Sequence, residues 1–409
     1  MNMKKLLVSL LLVQAAVNLI GALGPELGFD ALWYHLTEGK LFLARGSLAP
    51  IPGNLLYWSG FPRLMEIIYA FLPGKLVHWV FGLACAWLLY KLKGIPAALL
   101  FYSSLLVGWL STSAYVDLAL TFFILAAISA KKHLLKIFWL ALAGATKLTA
   151  VPISLVITGF PWAILGALPF WLINFKSTGN PFYPFGTPLA PIGEWFYQGF
   201  LFWLSRPLRL FFDPTFRVGP IILILAAISR FKPFRFYILA FFLIWFLGPG
   251  TDTGRFALPL LALMSISAAN SLAIKPRLAT ALILIHAFIG ITGRAYANAK
   301  YLPVILGRQT KTEFLTQHLN LNFGDFYDID GWFAQNLKST DKVLIYGLHN
   351  LYYVNFPFDH ESWAKAGTFY THILVGPGTQ LPLLYSDKSK LVYTNSTTQV
   401  KLYQCSCYF

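Results

Sequence analysis

Two aspartates stand beside long apolar segments, where a charged side chain is costly. Asp30 follows the first apolar segment of the chain, and Asp117 stands at the start of a later one. An ionisable group next to hydrocarbon is expensive unless it faces a cavity or a partner, so function is the default interpretation of both residues. The alternative is that each carboxylate caps a helix. If the two loops are neighbours, the carboxylates converge on one site.

Two further polar side chains accompany the first aspartate. Tyr34 and His35 follow Asp30 by four and five residues, so a helix would place all three on one face. The leucines around them predict that this helix lies along the membrane surface. The same residues are also typical of a helix cap with interfacial aromatic side chains.

Two basic residues interrupt apolar sequence farther along the chain. Lys147 lies between two short apolar segments, and Arg255 directly precedes another segment. A single basic residue in such a position often extends its side chain to the lipid headgroups. Both fall on the predicted outer side, however, which departs from the preference for basic residues on the cytoplasmic side. A cationic pocket for an anionic headgroup is the simplest explanation.

The composition is that of a membrane protein. Of the 409 residues, 57% are hydrophobic and 12% are charged, whereas soluble domains carry about 25% charged residues. The formal net charge is +16, but the basic residues form short clusters between apolar segments rather than one basic face. This pattern argues against nucleic acid as a partner and predicts anionic membrane lipid instead.

The apolar segments predict a polytopic helical bundle with about eleven transmembrane helices, because a crossing requires roughly 30 Å of hydrophobic length. The pair that flanks Lys147 is short. If it forms two short helices, Lys147 faces outward; if it forms one helix, every later segment reverses its direction. The eleven segments are Leu6–Leu23, Pro73–Tyr90, Ile95–Leu110, Leu118–Ala130, Ile137–Thr146, Thr149–Phe160, Trp162–Ile173, Val218–Ile228, Phe236–Leu247, Phe256–Ile274 and Leu278–Ile291.

The distribution of basic residues predicts the orientation in the plasma membrane. Several basic clusters without acidic neighbours fall on the same side, which the positive-inside rule assigns to the cytoplasm. The N-terminus is then cytoplasmic and the last helix ends outside. The clusters are Lys4/Lys5, Lys91/Lys93, Lys131/Lys132/Lys136, Arg230/Lys232/Arg235 and Lys275/Arg277.

A change of composition after Arg294 predicts two domains. Residues 1–293 form the membrane domain, with a first outer loop at 24–63 and an outer loop with an amphipathic helix at 175–217. Residues 294–409 are richer in Lys, Asp, Asn and Tyr, and they contain three short strand patterns and one helix pattern. We therefore expect a small C-terminal exoplasmic α/β domain.

Five motifs occur in order across the membrane part: FDALWYHL, YVDLALTFF, ATKLTA, GNPFYPF and GRFALPLLAL. In this order the chain resembles the polytopic membrane glycosyltransferases of the GT-C fold, specifically prokaryotic proteins similar to glycosyltransferase family 39. The resemblance implies an enzyme that moves a sugar from a polyprenyl-phosphate donor to a glycan, lipid or protein acceptor. Transfer on the outer face, with inversion at the anomeric carbon, is implied as well.

The resemblance also implies roles for the two aspartates. Asp30 matches the acid of the first loop and would act as general base, and Asp117 would orient a substrate or hold a divalent metal ion, if one is needed. Many relatives place two adjacent acids in the first loop, whereas an alanine follows Asp30 here. Whether Glu26, Glu38 or Glu66 assists is therefore open.

The basic residues and the first-loop polar side chains would bind the donor. Lys147 and Arg255 match the family's basic positions and would hold the donor phosphate, while Tyr34 and His35 would hydrogen-bond the donor. The chemistry fits these residue types independently of the resemblance, because the departing phosphate needs charge stabilisation more than it needs a proton.

Two other functions are compatible with many apolar helices. A transporter or flippase of lipid-linked saccharides would bind the same headgroup, but inverted repeats and paired broken helices, which would favour it, are not evident. An O-antigen polymerase or ligase would normally carry its catalytic outer loop late in the chain rather than after the first helix.

Overall fold

A computed structural model of the protein describes residues 2–188, 200–248 and 253–409. Among these residues, four helices are long and apolar enough to cross a membrane. Each is long enough because about 20 residues, rising 1.5 Å apiece, match the thickness of the hydrocarbon layer. The four spans are Met3–Leu23, Gly74–Lys93, Gly254–Ile274 and Pro276–Ala299.

Shorter helices complete the membrane part. All eleven predicted apolar segments are helical, Ile95–Leu110 as two helices that break at Ser103 and Ser104. The number of membrane crossings stays a prediction, because most of these helices are shorter than a full crossing. In chain order the helices of the membrane part are α1 Met3–Leu23, α2 Leu36–Arg45, α3 Leu64–Phe71, α4 Gly74–Lys93, α5 Ile95–Tyr102, α6 Leu105–Leu110, α7 Asp117–Ser129, α8 His133–Thr146, α9 Ala150–Thr158, α10 Ile164–Thr178, α11 Phe200–Phe212, α12 Ile221–Ile228, α13 Arg235–Leu247, α14 Leu258–Ala269, α15 Ser271–Ile274 and α16 Pro276–Ala299.

The first loop folds into a π-helical turn, Ala31–His35, followed by α2 and α3. The two helices pack closely at Gly39, where a Cβ atom would lie 2.6 Å from the backbone oxygen of Glu66. Only glycine permits this approach, because any side chain would displace α3. Helix α2 therefore packs directly on the backbone of α3.

Part of the predicted amphipathic helix is observed as α11. Leu204, Leu208 and Phe212 recur every four residues and are all more than half exposed, whereas Leu210 and Phe211 are buried. An exposed apolar stripe of this kind is typical of a helix that lies in the membrane interface. Residues 189–199 of the predicted segment lie outside the described residues.

The C-terminal part contains a five-stranded mixed sheet in the order β2-β1-β3-β5-β4. The three predicted strand patterns and the predicted helix are present. Two strands were not predicted from the sequence. Strand β2 has only three residues, and β5 alternates buried and exposed side chains in a segment rich in polar residues. The elements are α17 Leu302–Ile305, α18 Lys311–His318, α19 Trp332–Asn336, β1 Val343–Tyr346, β2 Phe358–His360, β3 Phe369–Val375, α20 Leu383–Ser386, β4 Ser389–Thr394 and β5 Lys401–Tyr408.

The two parts are joined by specific contacts. Helix α16 continues past the predicted boundary at residues 293 and 294 to Ala299, because Arg294 and Asn298 bond to each other one turn apart and pack against the bundle. Lys40 of α2 donates to the backbone oxygens of Tyr352 and Val354 in the loop after β1. The first loop and the C-terminal part therefore share one interface.

Candidate active site

Asp30 is held by two donors at the start of the π-helical turn. Its Oδ2 accepts a hydrogen bond of 2.9 Å from the Tyr34 hydroxyl and lies 2.5 Å from Nη1 of Arg255. The side chains of Asp30 and Arg255 are 17% and 15% exposed, so the pair is reachable from outside the protein. Both donors bind the same oxygen, which leaves Oδ1 without a hydrogen bond from any described residue.

Asp117 forms a second ion pair. Its Oδ1 lies 2.7 Å from Nζ of Lys147, which stands between α8 and α9. The hairpin consists of two short helices, as in the first of the two predicted arrangements, and the side of the membrane that Lys147 faces stays a prediction. The Asp117 side chain is almost fully buried at 2% exposed, whereas Lys147 is 21% exposed. The accessible member of this pair is therefore the cation.

The two ion pairs belong to one site. Nζ of Lys147 lies 3.9 Å from the ring centre of Phe256, and the guanidinium carbon of Arg255 lies 5.0 Å from the same ring. Arg255 also stacks on Tyr115, at 5.1 Å. Cations are attracted to the faces of aromatic rings, so these rings place two positive charges side by side next to two carboxylates.

Buried side chains hold the loop that precedes Asp117. His78 contacts the backbone oxygens of Leu110 and Ser113 with Nδ1, at 2.7 and 2.8 Å, and accepts the amide of Leu118 with Nε2, at 3.0 Å. A proton on Nδ1 of a neutral ring satisfies all three contacts at once. The Tyr69 hydroxyl donates to the backbone oxygen of Tyr115 in the same loop.

Tyr34 and His35 contact different carboxylates. Burial raises the pKa of Tyr34 well above its ordinary value, so the hydroxyl stays protonated and donates to Asp30. His35 is buried, and its Nδ1 lies 2.5 Å from Oε1 of Glu66 on α3. His35 therefore pairs with Glu66 rather than with Asp30. The hydrogen bond from His35 to the sugar donor stays a prediction.

A sealed group of charged residues lies behind the first loop. Glu38 and Arg63 are each 1% exposed, and Arg63 donates to Asn174 at 3.1 Å while it faces the rings of Phe42 and Phe170. Burial, followed by the neighbouring Glu66, raises the pKa of Glu38 well above its ordinary value. Burial therefore favours the uncharged form of Glu38.

An apolar groove opens beside the basic hairpin. It has a volume of about 420 Å³ and begins at Leu148, the residue after Lys147. Its lining is almost entirely aliphatic and aromatic, and it includes three residues of the GNPFYPF motif. The groove is lined by Gly60, Phe61, Leu148, Trp171, Phe182, Tyr183 and Phe185.

Four residues of the site were not singled out from the sequence: Glu26 as a bridge between loops, His78, Tyr115 and Phe256. Glu26 accepts backbone amides from both the first loop and the loop before Asp117. Only the charge of Glu26 and the polarity of His78 inside an apolar helix were visible signals. Among the described residues, no three His, Cys, Asp or Glu side chains lie together in a way that could hold a metal ion.

Comparison with known proteins identifies the fold. No known protein family and no curated protein sequence matches the chain. Two solved structures of ArnT from Cupriavidus metallidurans do match over 97% of this chain and 97% of theirs. The structure bound to undecaprenyl phosphate has a TM-score of 0.58 at 12% identity, and the apo structure has a TM-score of 0.52 at 13% identity. The predicted GT-C fold is thus confirmed, and the chain is a membrane protein with the fold of ArnT.

Proposed function

We propose that this protein is a membrane glycosyltransferase that transfers a sugar from a polyprenyl-phosphate donor to an acceptor hydroxyl. The observation that carries the proposal is the convergence of Asp30, Arg255, Asp117 and Lys147, which come from four separate loops, into two adjoining ion pairs. The fold shared with ArnT, one structure of which is bound to undecaprenyl phosphate, supports a polyprenyl-phosphate ligand.

Asp30 is the general base of the proposed reaction. Its Oδ1 is free of hydrogen bonds from the described residues, while Tyr34 and Arg255 hold Oδ2 and thereby fix the carboxylate. The acceptor hydroxyl gives its proton to Oδ1 as its oxygen attacks the anomeric carbon. The bond from that carbon to the phosphate oxygen breaks on the opposite side, so the anomeric configuration inverts.

Arg255 and Lys147 stabilise the leaving group. Cleavage converts a phosphate diester into a polyprenyl phosphate monoester and adds negative charge to the phosphate oxygens. Two cations that share the Phe256 ring are placed to bind those oxygens, and preformed charges need no rearrangement during the reaction. Asp117 keeps Lys147 in position from its buried side. A divalent ion at Asp30 and Asp117 would have to compete with both cations.

The apolar groove is the proposed path of the isoprenoid chain. It starts next to Lys147 and is lined by aliphatic and aromatic side chains. A phosphate bound at Lys147 would therefore have apolar surface within reach of its first isoprene units, whose burial is favourable. We assign the site to the outer face of the membrane, because the basic clusters predict a cytoplasmic N-terminus.

The test is turnover of radiolabelled polyprenyl-phosphate sugars by the purified protein, with release of polyprenyl phosphate as the readout. We expect wild-type protein to release polyprenyl phosphate and label an acceptor, and Asp30→Asn and Asp117→Asn to be strongly impaired. Full activity of Asp30→Asn would remove the base assignment. A flippase would instead move the intact donor across vesicles without releasing polyprenyl phosphate, and that result would replace the proposal.

A further inference from the structure

Glu26 bridges the two loops that carry the aspartates. Its Oε1 accepts the backbone amides of Leu27 and Gly28, at 2.9 and 2.8 Å, and its Oε2 accepts the amide of Ala114 at 2.7 Å. The residue is 5% exposed. The two local bonds fix the carboxylate in the first loop, and the third joins it to a segment 88 residues away.

The bridge ends close to both aspartates in the chain. Gly28 stands two residues before Asp30, and Ala114 stands three residues before Asp117. At Gly28 a Cβ atom would lie 3.1 Å from both the Glu26 carboxylate and the Tyr115 ring, so the two loops are in close contact there. A displacement of Gly28 or Ala114 would therefore change the distance between Asp30 and Asp117.

Glu26 is itself anchored from two directions. The hydroxyl of Tyr353, in the C-terminal part, donates to its backbone oxygen at 3.0 Å. Lys75, at the start of α4, donates to the backbone oxygens of Gly24 and Pro25 at 2.8 and 2.9 Å. The bridge is thus fixed to the bundle and to the C-terminal part.

We propose that Glu26 is a positioning residue that sets the placement of Asp30 relative to Asp117 without touching a substrate. The inference rests on the proposed glycosyl transfer. A displacement of about 1 Å in a catalytic group can reduce the rate by about 100-fold. Loss of the bridge should therefore lower kcat, while the phosphate site formed by Lys147 and Arg255 keeps its affinity.

The test compares Glu26→Ala and Glu26→Gln with Glu38→Gln, a matched control in the same loop whose acid is buried but accepts no backbone amide in the described structure. We expect kcat to fall about 100-fold in Glu26→Ala, with the Kd for undecaprenyl phosphate within about threefold of wild type. Glu26→Gln keeps one accepting oxygen but turns an amide group toward Ala114, so kcat should fall about 10-fold. Glu38→Gln should stay within about threefold.

Amide hydrogen exchange gives a readout that does not need turnover. Loss of the bridge should speed exchange in both segments, residues 24–30 and residues 111–117, and leave α16 unchanged, which also shows that the variant is folded. Faster exchange in the first loop alone, or a wild-type kcat in Glu26→Ala while Asp30→Asn is inactive, would overturn the positioning role. Absence of turnover in the wild type would instead overturn the proposed function. The exchange data alone would then show whether Glu26 connects the two loops.

Discussion

Two clusters of acids and bases lie within the same part of the molecule and differ in access. The open cluster consists of Asp30, Arg255, Asp117 and Lys147, and three of its four side chains are between 15% and 21% exposed. The sealed cluster consists of His35, Glu38, Arg63 and Glu66, none of which is more than 5% exposed. Residue types alone would assign the same chemistry to both.

The difference lies in what each cluster can do with its charges. In the open cluster every acid has a cation at 2.5 or 2.7 Å, and a ligand can still approach. In the sealed cluster burial favours the neutral acid in Glu38, and Glu66 pairs with the buried His35. Sealed charges contribute to the packing of the first loop, whereas accessible charges are available for a reaction.

The largest expected effect distinguishes the clusters by activity. We expect Asp30→Asn to lower kcat by about 1,000-fold, because an amide cannot accept the acceptor's proton and general bases contribute 10²- to 10⁴-fold. The same acid-to-amide change at Glu38, where burial favours the uncharged acid, should lower kcat less than threefold. Steady-state release of polyprenyl phosphate measures both. Equal losses in the two variants would erase the functional distinction between the clusters.

The second prediction concerns the contribution of the sealed cluster to stability. Arg63→Met should lower the free energy of unfolding by about 2 kcal/mol, because it leaves the buried side-chain oxygen of Asn174 without its charged donor. Arg45→Met, at an exposed position near the end of α2, should change it by less than about 0.5 kcal/mol. Denaturant titration in detergent micelles gives both values. A neutral Arg63→Met would mean that the sealed cluster does not stabilise the first loop.

The same contrast explains what the sequence could and could not predict. Long apolar segments specify helices by themselves, so all eleven predicted segments are helical, whereas their number of membrane crossings stays a prediction. Asp30, Asp117, Lys147 and Arg255 became candidates because charge next to hydrocarbon is rare. Their pairing was not predictable, since it depends on which loops the bundle brings together. The different environments of Glu26 and Glu38 were not predictable from the sequence either. Glu26 accepts backbone amides, whereas burial favours the uncharged form of Glu38.

A smaller effect concerns the cations of the open cluster. Lys147→Met keeps most of the side-chain length and removes the charge, so we expect the Kd for undecaprenyl phosphate to rise about 10- to 30-fold, or roughly 2 kcal/mol. Lys40→Met serves as the control, because Lys40 binds backbone oxygens of the C-terminal part and lies outside the phosphate site. Lipid binding in detergent solution measures both. Unchanged binding by Lys147→Met would show that Lys147 is not part of the phosphate site.

The smallest effect extends the contrast to a sealed group in the C-terminal part. Burial lowers the pKa of His360 to about 4, and its Nδ1 accepts the Ser362 amide at 3.1 Å, which a protonated ring would lose. The unfolded chain, with the ordinary value of about 6.5, binds more protons between these values. Stability from His360 is therefore present above pH 6.5 and is lost as the pH falls toward 4. The loss should be on the order of 1 kcal/mol in wild type, and His360→Gln should flatten the dependence of Tm on pH in this range. A variant with the same slope as wild type would assign the acid sensitivity to other groups, such as the neighbouring His349, whose pKa burial also lowers.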